Sequence, residues 1–220
     1  MILEFDSVEK SFPGRRLLAS IYMRCETGRI TGLLGRNGSG KTTLMKIIFG
    51  TLEAEHKSVR INGRPLLSSA LKYRAIAYLP QRDLLVPSMT LREAFRLSGI
   101  PTGDAIAAFP GLSELLEFTS EEMSFGWRRM AECFLVLGGP QPFCFLDEPF
   151  SGLAPMHIEQ LQAVLNKVKL SKGILISDHL HRHVKDVSDE LYVLANGATY
   201  RAHSVEDLIR FGYLPDHYSP

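Results

Sequence analysis

Gly35-Arg36-Asn37-Gly38-Ser39-Gly40-Lys41-Thr42 has the full G-x-x-x-x-G-K-[ST] spacing, and no other stretch restricts the fold of this chain as strongly. Glycines let the backbone curl until successive N–H groups point inward, and a following helix adds the positive end of its dipole. Such a loop works only between a strand and a helix. Arg29 to Leu34 reads as the strand and Thr43 to Phe49 as the helix, so the order is present. In this setting Lys41 supplies a point charge for β- and γ-phosphates, and the Thr42 hydroxyl is placed to ligate Mg²⁺. Gly35, Asn37, Gly38, Ser39, Gly40, Lys41, Thr42 and Thr43 are therefore candidate residues for binding a nucleoside triphosphate. Far downstream stands the acidic pair Asp147-Glu148, and together the two features point to a bound nucleoside triphosphate and Mg²⁺.

The rest of the chain narrows the class. At 220 residues it can bury one sizeable core, and a second full domain is not expected. Lys and Arg number 25 against 24 Asp and Glu, a net charge of +1, so there is no overall basic field of the kind that non-specific nucleic-acid binding needs. The start, Met1-Ile2-Leu3-Glu4-Phe5-Asp6, lacks the basic end and apolar run of a signal peptide. The least charged stretch, Cys133 to Leu146, is too short to span a bilayer and is broken at Gly138-Gly139-Pro140-Gln141-Pro142. Cys25, Cys133 and Cys144 are widely spaced among apolar residues and read as reduced core thiols.

Strand candidates are Ile2 to Val8, Leu17 to Met23, Ser58 to Ile61 before an Asn62-Gly63 hairpin turn, and Ile76 to Leu79 ending at Pro80-Gln81. A helical region runs from about Thr90 to Leu137, with breaks at Gly99-Ile100-Pro101 and Pro110-Gly111. Phe143-Cys144-Phe145-Leu146 is continuously apolar, as a strand covered on both faces should be. Pro155 to Val168 reads as helix, Gly173 to Ser177 as strand, and Leu180 to Val187 as helix. Leu191 to Leu194 and Ala198 to Arg201 are the last strands, around Asn196-Gly197.

With the phosphate loop, the segments Leu79-Pro80-Gln81, Leu146-Asp147-Glu148-Pro149-Phe150-Ser151-Gly152-Leu153 and Ile174-Leu175-Ile176-Ser177-Asp178-His179 stand in the order of an ATP-binding cassette (ABC) ATPase, which nearly the whole chain resembles. The resemblance implies an α/β fold: a P-loop NTPase core with a mixed, mostly parallel sheet, an N-terminal antiparallel β subdomain and a short helical signature lobe. It implies one domain over 1–220, with the lobe inserted at about 88–137. Asp147 is then the carboxylate that serves Mg²⁺ with Thr42 and Gln81, either directly or from behind its immediate ligands, Glu148 the base for the attacking water, Gln81 a contact to Mg²⁺ and water, and His179 a γ-phosphate switch. Phe12 lies where the family stacks an aromatic ring on adenine, and it is equally readable as a loop or core phenylalanine. His179, His181 and His183 also admit a metal reading, but no fourth ligand is evident and the resemblance accounts for His179 without one.

The chain departs from the family at its signature segment, Met123-Ser124-Phe125-Gly126-Trp127 in place of Leu-Ser-Gly-Gly-Gln. Ser124 still suits a helix cap and Gly126 still allows close approach to a γ-phosphate across a dimer, whereas Phe125 puts a ring where the family keeps none. Ala154 stands where an aspartate is usual. Either the chain completes a partner's site poorly, as in a heterodimer with one weak site, or these are local variations in an ordinary homodimer. The expected partners are a second ABC cassette, packed head to tail, and integral membrane transporter subunits at the cytoplasmic face of the membrane, with no nucleic acid. The segment Leu84 to Leu91 resembles the place where transporter cassettes receive a coupling helix. The alternative is a soluble ABC ATPase that remodels or scaffolds a protein partner without transport.

Overall fold

In the computed structural model, residues 1–215 are described. Two sheets form the frame. The first is antiparallel and five-stranded: β1 (Ile2–Phe12) pairs with β2 (Arg15–Leu18), β3 (Tyr22–Glu26) and β5 (His56–Ile61), and β5 pairs with β6 (Arg64–Pro65). The second has six strands in the order β11 (Ala198–Ala202), β10 (Glu190–Ala195), β4 (Ile30–Leu34), β9 (Gly173–Ser177), β8 (Phe143–Asp147), β7 (Ile76–Leu79). All its pairings are parallel except the β10–β11 hairpin. The helices are α1 (Lys41–Phe49), α2 (Ser69–Ala75), α3 (Leu91–Ser98), α4 (Thr102–Ala108), α5 (Phe125–Gly138), α6 (Pro155–Val168), α7 (His181–Val187) and α8 (Val205–Arg210).

The apolar runs of β8 and β9 divide between two cores. Phe143, Phe145 and Leu175 face the antiparallel sheet and α1, while Cys144, Leu146, Ile174 and Ile176 face α5, α6 and the lobe. This is why these strands carry no polar alternation: both faces of the sheet are covered. The lobe, α3 to α5, closes on Phe134, which meets Phe95 and Phe109 edge-on at centroid distances of 6.2 and 5.9 Å. Strand β4 holds α7 close because Gly32 has no side chain; a Cβ there would lie 2.5 Å from Ser188 Oγ.

The structure corrects three local expectations. Leu17 to Met23 is not one strand: the chain leaves β2 after Leu18, where Ala19 and Ser20 donate to the Gly197 carbonyl at 2.8 and 3.1 Å, and resumes as β3 at Tyr22. The region from Thr90 to Leu137 is three helices and a 3₁₀ turn (Pro110–Leu115), with residues 117–124 outside any helix. Helices α2 and α8, too short to show a period, are added; each begins with a serine cap, Ser68 and Ser204.

Candidate nucleotide site

Strand β4 delivers the loop and α1 leaves it. Gly38 and Gly40 sit at φ 76° and 109°, in the left-handed region where a side chain would strain the backbone. Lys41 folds back over the loop, its Nζ donating to the Gly35 carbonyl at 2.7 Å and the Arg36 carbonyl at 3.5 Å. Burial pushes the ammonium below its usual range, and Glu148, Asp147 and Asp178 pull it back up. A cation already inside an inward-curling loop, on acceptors that phosphate oxygens can replace, fits a phosphate group. The Arg15 guanidinium donates to the Gly38 carbonyl at 3.1 Å and braces the loop from outside.

The carboxylates come from the end of β8. Asp147 is fully buried; its Oδ1 accepts from Ser177 Oγ at 2.7 Å and its Oδ2 from the Tyr78 hydroxyl at 3.1 Å. Burial, with the Asp147 charge beside it, raises the Tyr78 phenol, so the proton stays on tyrosine and donates. Glu148 then takes φ 54°, a left-handed turn, while its N–H bonds the Ser177 carbonyl at 2.6 Å. The turn separates the two neighbours: Asp147 stays in the core and Glu148 comes out into the cleft. Gln81 Nε2 donates to Glu148 Oε2 at 2.9 Å, and His179 Nδ1 lies 3.8 Å from the same oxygen. Behind His179, the buried Asp178 accepts from the N–H groups of Phe150 and Leu180 at 2.9 and 3.0 Å, which ties the loop after β8 to the loop after β9.

A cleft of about 670 Å³ gathers Phe12, Asn37, Gly38, Gly40, Lys41, Thr42, Thr43, Gln81, Glu148 and His179, drawn from both sheets and α1. Phe12 is half exposed at its rim, with Lys10 Nζ 5.3 Å from the ring centroid. Gly35 and Ser39 border a neighbouring cleft on the same loop with Arg15, Arg36 and Tyr213. Ser124 and Gly126 are not brought to this cleft; they lie at the start of α5, where Ser124 Oγ caps the Trp127 N–H at 3.4 Å. The Phe125 ring is half exposed and lies against Gly152, where any Cβ would collide with it, and the Arg128 guanidinium sits 5.7 Å from its centroid. Trp127 turns inward instead, onto Gly111 and His157. His181 and His183 pack toward the rings of Tyr213 and Phe150.

Sequence reading alone did not single out Tyr78 and Ser177 as the groups that hold Asp147. The only advance signal was a polar residue in each otherwise apolar strand.

Comparisons with known proteins agree with this geometry. A family model described as "ABC transporter" matches residues 18–151. The chain is 33% identical over 215 residues to the arabinose import ATP-binding protein AraG of Mannheimia succiniciproducens, covering 89% of this chain, and it spans only 42% of AraG's length. It is 26% identical to the lipopolysaccharide export system ATP-binding protein LptB of Haemophilus influenzae, over 89% of this chain and 88% of LptB. A solved structure of an ATP binding subunit of an ABC transporter superposes with a TM-score of 0.82 at 26% identity, covering 97% of this chain and 94% of that one. With the phosphate loop, the paired carboxylates and the matching fold in place, the chain belongs to the ABC transporter family and is one of its ATP-binding ATPase domains.

Proposed function

We propose that this chain hydrolyses MgATP at the cleft between the phosphate loop and Glu148 and uses the cycle to drive separate membrane-spanning subunits. The observation that supports it most directly is the convergence of Lys41, Gln81, Glu148 and His179 on one cleft from four separate segments. In this reading the loop amides and Lys41 bind the phosphates, Phe12 offers its exposed ring to the base, and Glu148 takes the proton of the attacking water. His179 stands beside Glu148 to bond the γ-phosphate. Thr42 and the Gln81 amide oxygen, both in the cleft, would supply oxygen donors of the kind Mg²⁺ prefers, while the fully buried Asp147 lies behind the cleft lining and would act on the ion from the core; the ion would offset phosphate charge. Among the described residues no helix is long and apolar enough to cross a membrane.

An apolar groove of about 470 Å³ between the β7–α3 segment and α5 supports the membrane coupling. Leu84, Leu85, Val86, Met89 and Leu97 line it, and Leu84, Val86 and Leu97 are exposed. It is the surface for a short helix of a membrane subunit at the cytoplasmic face. Ser124 and Gly126, away from this chain's own cleft, serve the nucleotide of a second cassette packed head to tail. AraG is named for import and LptB for export, so the proposal concerns the ATPase and its coupling and assigns no cargo.

The test is mild-detergent purification of the tagged chain from its own membranes. A multi-span membrane protein should co-purify in stoichiometric amount, together with a second cassette, either a paralogue or another copy. Recovery only from the soluble fraction, with soluble partners or none, would replace transport with the remodelling alternative.

A further inference from the structure

Helix α5 carries a buried ion pair. Arg129 and Glu132 are 4% and 1% exposed at their side chains, with Arg129 Nη1 3.3 Å from Glu132 Oε2. Arg129 also donates to three carbonyls: Pro80 at 2.9 Å, Asp147 at 2.6 Å and Glu148 at 3.2 Å. Glu132 Oε1 accepts from the N–H groups of Leu84 at 2.7 Å and Leu85 at 3.2 Å. The two side chains therefore bridge segment 80–85, whose Leu84 and Leu85 line the apolar groove, to the backbone on which the Glu148 carboxylate is mounted. Gln81, in the same segment, reaches that carboxylate directly at 2.9 Å. A guanidinium's rigid fork can hold several acceptors in one plane, which a lysine cannot do. A buried polar network whose members are all bonded is rigid, so its two ends are held at a fixed spacing.

We infer that Arg129 and Glu132 are positioning residues that couple the groove wall at Leu84–Leu85 to the placement of Glu148. A shift of that wall then changes turnover without changing nucleotide affinity. The inference rests on the reading of Glu148 as the group that faces the attacking water.

Arg129→Lys tests it most sharply, because lysine keeps the charge opposite Glu132 and loses the fork. A merely structural ion pair would be rescued by lysine; a positioning residue would not. In the full chain, a fluorescent ATP analogue should bind with an unchanged dissociation constant. Single-turnover hydrolysis per bound nucleotide should fall about ten- to a hundredfold, the scale of a sub-ångström to 1 Å misplacement of a reacting group. The doubly neutral Arg129→Gln/Glu132→Gln variant should behave alike. Wild-type rates in both variants would overturn the inference. Glu148→Gln run alongside separates the levels: retained turnover there overturns the reading of Glu148 and this inference with it. Should both Arg129 variants fail to fold, amide exchange in the unsubstituted chain decides. Protection at Leu84 and Leu85 should change when the analogue binds, and identical exchange would overturn the coupling.

Discussion

Glu148, the proposed base, presents one oxygen, Oε2, to both Gln81 and His179. Replacing it with glutamine keeps shape and hydrogen bonding while removing the base. General-base assistance is worth about 10²–10⁴ in rate, so single-turnover hydrolysis by Glu148→Gln should drop by that factor while a fluorescent ATP analogue still binds. Loss of binding together with rate would instead make Glu148 part of the phosphate cradle. The residues proposed to touch a nucleotide were legible in the sequence because each lies inside a short contiguous string. The residues that hold them were not. Ser177 and Tyr78 reach Asp147 across 30 and 69 positions of sequence, and Arg129 reaches Asp147 across 18. No local pattern encodes a bond between strands that only folding brings side by side.

The signature helix is the element whose altered residues acquire separate meanings. Trp127 fills space against Gly111 and His157 and belongs to the packing of this chain. Phe125 stands half exposed on Gly152, where it narrows the approach to the start of α5. In the assembled complex Phe125→Gly should raise single-turnover hydrolysis at the partner's nucleotide, since the backbone at Ser124 and Gly126 is then open to a γ-phosphate. Unchanged or lower turnover would mean the ring does not obstruct a partner's site. Secondary structure was legible where segments were continuously apolar, as in β8 and β9, or long and amphipathic, as in α6. It was not legible in α2 and α8, with 7 and 6 residues, which hold fewer than two turns of periodic signal. The break between β2 and β3 was hidden because Leu17 to Met23 is apolar but for Ser20, and Ile21 is buried although it lies outside both strands.

Across the whole molecule, the two cores share β8 and β9 as a common wall, and the cysteines sample both. Cys25 lies in the core beneath the antiparallel sheet, and Cys133 and Cys144 lie in the other. Burial pushes the three thiols up to about 12, about 12 and about 11 respectively, so none supplies thiolate near neutrality. The native chain at pH 8 should resist an alkylating reagent, and all three sites should then react together as the chain unfolds. Labelling of Cys25 ahead of the others would show that the cores open separately. The turn at Glu148 has its own consequence at this scale. A left-handed backbone is one that asparagine or glycine tolerates better than glutamate, at a penalty of about 1–3 kcal/mol for an unsuited residue. Folding and turnover therefore favour different residues at position 148: in a copy of this chain no longer required to consume ATP, drift away from glutamate would relieve the backbone, and inactivity could accompany a sturdier fold.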